Sequence, residues 1–308
     1  MKNIVLALGL IAVASCVASC DNKVNGSSGA AACATAAACN IIPGGISQCT
    51  FTIEQVDDPS TAASVKVSAS QVNCIAAAGA NCDKARACLN AGNPPMACTG
   101  DSQSCAGTVW TTCDSLTGTD GNNGTRQFDC ASSKEQCIVS NGTTDCGVGT
   151  CSGYTTKCNG NILQTCGIDG IEHDSDCGTD GATCEPGGLA PHCRGTGATC
   201  STAITNVTSV LRCDGHFLVS CADGQEAKTD CSRFDLGCFP APANGPLGQP
   251  AFACALGSDC SAASESVTCE GNILHFCNKG KFDTLDCSKN GFTGCDAANG
   301  GRCTTKTP

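Results

Sequence analysis

The chain has 308 residues, 32 of them cysteine and only 4% aromatic, and carries a formal net charge of −11. That charge argues against nucleic acid or anionic lipid as a partner, and this cysteine density argues against a reducing compartment. With one Trp and one Tyr in the whole chain, a segment of roughly 50 residues cannot bury enough apolar area to offset chain entropy, so cross-links must stand in for a core.

In chain order the first elements are an export signal and an anchor. Met1-Lys2-Asn3 precedes an apolar run from Ile4 to Ala14, with no further charge before Asp21. A short basic start and about a dozen apolar residues read as a secretory signal over residues 1–19, too short to span a bilayer as a mature helix. Two cysteines follow in like settings, Val13-Ala14-Ser15-Cys16 and Val17-Ala18-Ser19-Cys20. Each resembles the lipobox of bacterial lipoproteins, in which a cysteine after two small residues receives lipid and becomes the new N-terminus. The resemblance implies lipid at Cys20, with Cys16 as the alternative. Parity favours Cys20: thirty cysteines follow it and can all pair, whereas lipid on Cys16 leaves Cys20 over. The polar stretch after Cys20 reads as a flexible tether over residues 20–32.

Residues 33–97 form a cysteine-rich N-terminal region. Its cysteine intervals of five and then nine residues occur twice, at Cys33-Cys39-Cys49 and Cys82-Cys88-Cys98. The Ala-rich stretches Ala30 to Ala38 and Cys74 to Leu89 read as short helices. Between them, Thr50 to Val56 and Ser64 to Val72 alternate like two strands around an Asp-Asp-Pro-Ser turn. Cys98 fits both this pattern and the next.

From Cys98 onward a six-cysteine frame repeats four times, over 98–146, 151–193, 200–254 and 260–303. One interval never changes: seven residues separate Cys105 from Cys113, Cys158 from Cys166, Cys213 from Cys221 and Cys269 from Cys277. The fourth cysteine always follows an aspartate: Asp129, Asp176, Asp230 and Asp286. Length varies elsewhere, notably in a Gly/Asn/Asp loop from Asp114 to Thr125 and a Pro-rich insertion from Phe239 to Phe252. A frame held this way marks a tandem, disulfide-stapled module.

Asn159-Gly160, Asp214-Gly215 and Glu270-Gly271 directly follow the second cysteine and predict a two-residue hairpin turn. A strand-like stretch, a second Gly turn and a third strand lead to the Asp-Cys step. The expected fold class is therefore small, disulfide-rich and mainly β, with tandem three-stranded meander modules after a mixed α/β N-terminal region. Within the first hairpin the second and third cysteines lie about 16 Å apart along the strand, too far for bonded Cα atoms. The expected register sets Cys166 opposite Gly153, near Cys151, and Cys277 opposite Ser264, near Cys260. The first cysteine is thus expected to bond the third: Cys98-Cys113, Cys151-Cys166, Cys200-Cys221 and Cys260-Cys277. For the other four, second to fourth and fifth to sixth is the working pairing. With a six-cysteine frame in each copy, the modules are expected to fold as beads with modest interfaces.

The step Cys-Asn-Gly-Asn-Ile-Leu-Gln-Thr-Cys, then a Gly turn, then Asp-Cys, resembles the cysteine-rich repeats of predicted myxobacterial lipoproteins. The Cys74-to-Cys98 stretch is similar to their N-terminal portion. The resemblance implies a lipoprotein of the bacterial cell envelope, lipid-anchored at the outer membrane or cell surface, or else secreted; it brings no activity with it.

No residues announce catalysis. His173, His192, His216 and His275 lack a marked nucleophile or partner, with His216 and His275 expected inside the second strand of their copies. No cysteines stand two residues apart as structural zinc and iron–sulfur sites require, so no metal and no cofactor is expected. Asp120-Gly121-Asn122-Asn123-Gly124 lacks the closing acid of a calcium loop, and the repeated Asp reads as a turn-capping acceptor. The expectation is a non-enzymatic protein, bound to the membrane through its N-terminal lipid, that engages an extracellular protein or polysaccharide. A passive envelope component and a secreted inhibitor are the alternatives. The shortage of aromatics weighs against a carbohydrate ligand, to which Trp110, Tyr154, Phe217 and Phe276 could contribute. Mass spectrometry of the membrane fraction should find a diacylglyceryl-modified N-terminal peptide starting at Cys20; a mature N-terminus at any other residue sinks this assignment.

Overall fold

The computed structural model describes residues 26–42, 45–52, 67–100, 102–114, 117, 123–188, 190–201, 209–241, 251–260, 267–298 and 301–305. Cys16 and Cys20 lie outside the described residues. The chain is mainly β and cysteine-rich, a series of small antiparallel sheets following a helical N-terminal region.

That region contains α1 (Gly26–Ala38), α2 (Ile46–Thr52), α3 (Ala69–Ala78) and α4 (Cys82–Cys88). Alanine keeps its helix propensity without needing a wide groove, so these short helices pack closely around Ala32, Ala36, Ile41, Val72, Ile75 and Leu89. Three disulfides hold them: Cys33–Cys49, Cys39–Cys82 and Cys74–Cys88. Two expectations are corrected here. The end of the proposed tether is helical: Gly26 onward is α1, with Ala30 and Ala32 buried. The two strands are not formed where described: Thr50–Thr52 closes α2 and Ala69–Val72 opens α3. At Ser68 a capping box takes over, the Gln71 N–H donating to the Ser68 hydroxyl and the Ser68 N–H to Gln71 Oε1 at 2.9 Å. Ala69, Val72, Ile75 and Ala78 then recur every third residue and are buried; the period is helical, not two.

Each module opens with a three-stranded antiparallel meander. The strands are Gln103–Ala106, Val109–Asp114 and Asn123–Asp129 in module 1, and Thr156–Asn159, Ile162–Cys166 and Ile171–Asp176 in module 2. Module 3 has Ser209–Asp214, Phe217–Ala222 and Gln225–Asp230, and module 4 has Thr268–Glu270, Ile273–Asn278 and Lys281–Asp286. The first turn falls one residue later than its Asn-Gly sequence suggests. Asn159 pairs with Ile162, so Gly160 and Asn161 make the loop, and only the glycine has positive φ (59°). That is the pattern of a type II′ turn, which needs Gly at its first central position. The register shifts with it: Thr155, not Gly153, lies beside Cys166 and accepts its N–H at 2.8 Å.

A short 3₁₀ turn leads from the third strand into an element the sequence reading missed, a second hairpin carrying the fifth and sixth cysteines. Its strands are Gln136–Ser140 with Thr143–Gly147, Ala182–Glu185 with His192–Gly195, Gly237–Ala241 with Ala251–Ala255, and Gly294–Asp296 with Arg302–Thr304. In every copy the fifth and sixth cysteines are direct cross-strand partners, so their side chains share one face.

All thirty cysteines from Cys33 to Cys303 are bonded. Within modules the first bonds the third: Cys98–Cys113, Cys151–Cys166, Cys200–Cys221 and Cys260–Cys277. Cys98 thus belongs to module 1. The remaining pairing is not second to fourth and fifth to sixth. The second bonds the fifth, as in Cys105–Cys137, Cys158–Cys184, Cys213–Cys238 and Cys269–Cys295. The fourth bonds the sixth, as in Cys130–Cys146, Cys177–Cys193, Cys231–Cys254 and Cys287–Cys303. Of the hairpin's two sulfurs, one meets the first strand of the meander and the other the 3₁₀ turn that follows it. With sequence separations between 14 and 43, each bond contributes about 3–4 kcal/mol in the chain-entropy view.

Neighbouring modules touch at each joint. The hairpin of module 1 abuts the third strand of module 2, where Val148 N–H donates to Glu172 O at 2.8 Å; module 2 meets module 3 likewise through Gly197 N–H and Glu226 O at 2.8 Å. Gly147 and Gly195 permit this approach, since a Cβ on either would strike Ile171 and Glu172 O, or Gln225 and Glu226 oxygens. Leu256 N–H reaches Lys279 O at 2.9 Å between modules 3 and 4. The helices complete the circuit. Gln127 in module 1 donates its N–H to Leu89 O and accepts from the Gln71 amide. On the other side, Ser47 Oγ accepts the Cys277 N–H and Ala80 N–H donates to Asn290 O. One apolar cluster joins Ala30, Ala34 and Ile46 to Leu274, Phe276 and Phe292 of module 4. Module 4 thus shares an apolar seam with the helical region.

Non-reducing tryptic mapping should separate the two pairing schemes. Cleavage after Lys281, Lys289, Arg302 and Lys306 should leave the Cys287 peptide linked to the four-residue Cys303 peptide. A Cys295 peptide linked to the Cys303 peptide instead would mean fifth-to-sixth pairing.

Candidate functional site

The repeated aspartate has a structural role in each copy. Asp129, Asp176, Asp230 and Asp286 cap the 3₁₀ turns by accepting the N–H of Ala131, Gly178, Ser232 and Ser288, at 2.8–3.1 Å. In modules 3 and 4 the serine hydroxyl also donates to the same carboxylate, at 2.6 Å. This hydroxyl contact, foremost, holds Asp230 and Asp286 below the ordinary carboxylate range.

The four histidines are dispersed. His216 sits in a hairpin turn, not in a strand, 3.6 Å from Asp230; His275 lies in the second strand of module 4, 3.7 Å from Glu270. His192 Nε2 meets Asp223 Oδ2 at 2.8 Å across the joint of modules 2 and 3. The Ala190 carbonyl and then Asp223 raise the His192 pKa, and His192 in turn lowers that of Asp223.

His173 is in a different setting. It lies on the third strand of module 2 and faces the joint with module 1. Nδ1 is 3.8 Å from Glu135 Oε1, an ion-pair distance rather than a hydrogen bond, and the Glu135 side chain is 4% exposed. One ligand atom each from His173, Asp145 and Asp169 lies within 4.8 Å of the others, and all three residues are half-buried. Glu135 first, with Asp145 and Asp169 adding to it, raises the imidazole pKa against the opposing effect of burial. This is a set of metal-ligand types, where the sequence reading expected no metal site. Its members come from two modules and have no telltale spacing. The Asp120–Asn122 part of the possible calcium loop lies outside the described residues.

A second feature is an open cleft of about 660 Å³ between the helical region and module 1. Asn81, Lys84, Pro94 and Pro95 line one side, with Thr117 and Asn123 of the loop peculiar to module 1 on the other. Of the four aromatics considered for carbohydrate, Trp110 and Phe276 are removed. Trp110 is 1% exposed, with its Nε1–H donating to Thr144 O at 2.9 Å, and Phe276 lies under the helices. Tyr154 is exposed at 79%, and Phe217 is partly covered by Lys228.

Comparison with protein-family models, with curated proteins and with solved structures finds no match for this chain. The site must therefore be read from its own geometry. No helix among the described residues is long and apolar enough to cross a membrane.

The aspartate caps have a definite pH signature. Because the folded pKa values of Asp230 and Asp286 are depressed, their contribution is complete above the unfolded value of 3.8 and lost as pH falls through the lower folded values. Asp230→Ala and Asp286→Ala should lower the thermal midpoint at pH 5–7, and the deficit should shrink only below about pH 3.8. Asp→Asn at either position, which keeps the acceptor, should show a smaller deficit. A deficit that vanishes already at pH 5 would contradict the capping role.

Proposed function

We propose that this is a membrane-anchored, disulfide-stapled lipoprotein with no catalytic role, which presents its surface for binding or adhesion outside the cell. Fifteen disulfides fit an oxidising extracellular or envelope compartment. The lipobox-like steps and the likeness to myxobacterial repeat lipoproteins support lipid at Cys20. Since α1 begins at Gly26, six residues on, the chain can extend only about 20 Å between lipid and helix. The body is then held against the bilayer, with α1 and the module 4 face it packs on near the anchor.

The observation that carries the binding reading is the cleft between the helices and module 1. Thr117, Asn123 and Gly124 of the sequence stretch peculiar to module 1 line it, while the module's disulfide frame is common to all copies. Loop variation over a fixed frame is how scaffolds display binding surface, and a concave site with a few polar groups is the usual form of such a surface.

The test uses the oxidised chain from Asp21 onward, which lacks the lipidated cysteine, immobilised and offered envelope polysaccharides and solubilised envelope proteins. Replacing residues 118–122 by a two-residue turn, or Lys84→Glu, should lower retention at least roughly ten-fold, a loss of about 1.4 kcal/mol, with an unchanged unfolding midpoint. Equal retention of all variants would remove the cleft as the site. Retention of nothing would favour the passive structural component instead.

A further inference from the structure

The joint of modules 1 and 2 and the joint of modules 2 and 3 use the same positions with opposite chemistry. In each, the residue one place before the sixth cysteine meets the aspartate of the next module's Asp-Gly turn. At the second joint these are His192 and Asp223, an opposite-charge pair at 2.8 Å. At the first they are Asp145 and Asp169, a like-charge pair. Beside them stand the residue two places before the fifth cysteine and the residue four places before the next module's fourth cysteine. At the second joint these are Ala182 and Ala227, buried in one apolar cluster with Cys177. At the first they are Glu135 and His173.

The first joint therefore gathers three carboxylates and one imidazole where its neighbour has an ion pair over alanines. Carboxylates gathered in a half-buried seam need positive charge among them, which a protonated His173 or a bound cation can supply. The Ala/Ala version of the same joint already closes, so closure does not require the charged set.

We propose that the first joint binds a divalent transition-metal ion of the zinc class through His173, Asp145 and Asp169, with Glu135 alongside. The donor set decides the class: an imidazole with carboxylates suits zinc and its neighbours, while calcium favours all-oxygen shells. The ligand atoms now lie within 4.8 Å of one another. Metal–ligand bonds of about 2.0–2.2 Å require donors roughly 3.3 Å apart, so the three donors would close somewhat on the ion. Much of the positioning exists already. Asp145 Oδ1 accepts the Cys146 N–H at 2.8 Å and Asp169 Oδ1 the Ile171 N–H at 3.0 Å, which fixes the direction of each second oxygen. The turn bearing Asp169 is itself tied to module 1, since Asn141 Nδ2 donates to Asp169 O and Ser140 Oγ to Gly170 O, both at 3.2 Å. The ion would clamp two modules, its ligands coming from both.

The experiment is calorimetric titration of the chelator-stripped, oxidised chain from Asp21 with ZnCl₂, and separately with MnCl₂ and CaCl₂. Zinc should bind at one equivalent per chain and raise the unfolding midpoint. His173→Ala and Asp169→Asn should each weaken binding by at least roughly 100-fold. Because a lone buried charge in those variants can disturb folding, a double variant, Glu135→Ala with His173→Ala, copies the second joint's alanines. It should fold with an intact set of disulfides and lose the zinc. No zinc binding by the unaltered chain, binding that survives the double variant, or calcium bound as tightly as zinc would each overturn the proposal.

Discussion

The invariant interval of seven residues between the second and third cysteines decides how each module is stapled. In module 2, Cys158 pairs with Leu163 across the hairpin, and Cys166 follows Leu163 by three positions. Residues an odd number apart on a strand face opposite sides of the sheet, so Cys158 and Cys166 emerge on opposite faces. The same holds for Cys105, Cys213 and Cys269, which pair with Trp110, Leu218 and Leu274. One sulfur grips the second hairpin through the fifth cysteine; the other grips the entering chain through the first. Adding or removing one residue would turn one sulfur to the wrong face. Loop lengths elsewhere do not carry this parity, and those are the lengths that vary.

The fourth-to-sixth bond completes the module by anchoring the second hairpin at the capped 3₁₀ turn. The fourth cysteine is fully or almost fully buried in all copies, and its N–H donates to the residue after the first-turn glycine: Thr108, Asn161, His216 or Asn272. Asp cap, buried sulfur and turn carbonyl thus converge on one point. Little apolar mass is then needed. Module 1 centres on Trp110 and Phe128 and module 3 on Leu236 with its cysteines, while module 4 draws its cover from α1 and α2.

What was legible in the sequence followed from strict spacing and from turn chemistry. The four-fold frame, the meander and the role of the Asp before the fourth cysteine could all be read this way. Misreadings came where two local codes compete. Val and Ser at alternate places in Ser64–Val72 look like a strand, yet Ser68 and Gln71 form a capping box that starts a helix. Asn-Gly looked like the turn itself, whereas the chain places Gly first and pairs the Asn across the strand. The second hairpin was hidden because its two cysteines face each other but bond elsewhere, which no spacing rule expresses. The cluster around His173 was hidden more deeply, since its members become neighbours only when two modules dock.

Docking is where the copies differ in chemistry. A module held by three disulfides loses little when a residue at its edge changes from alanine to histidine or glutamate, because the stapled frame does not depend on that contact. In a domain stabilised chiefly by apolar burial the same exchange would leave a polar group in the core, at a cost of about 1–3 kcal/mol. Covalent stapling therefore moves sequence freedom to the joints and loops. The opposite-charge pair of His192 and Asp223, the acidic set around His173 and the loop beside the helical cleft stand at such places. Recognition in this architecture is expected at seams between units, where two copies contribute side chains that neither presents alone.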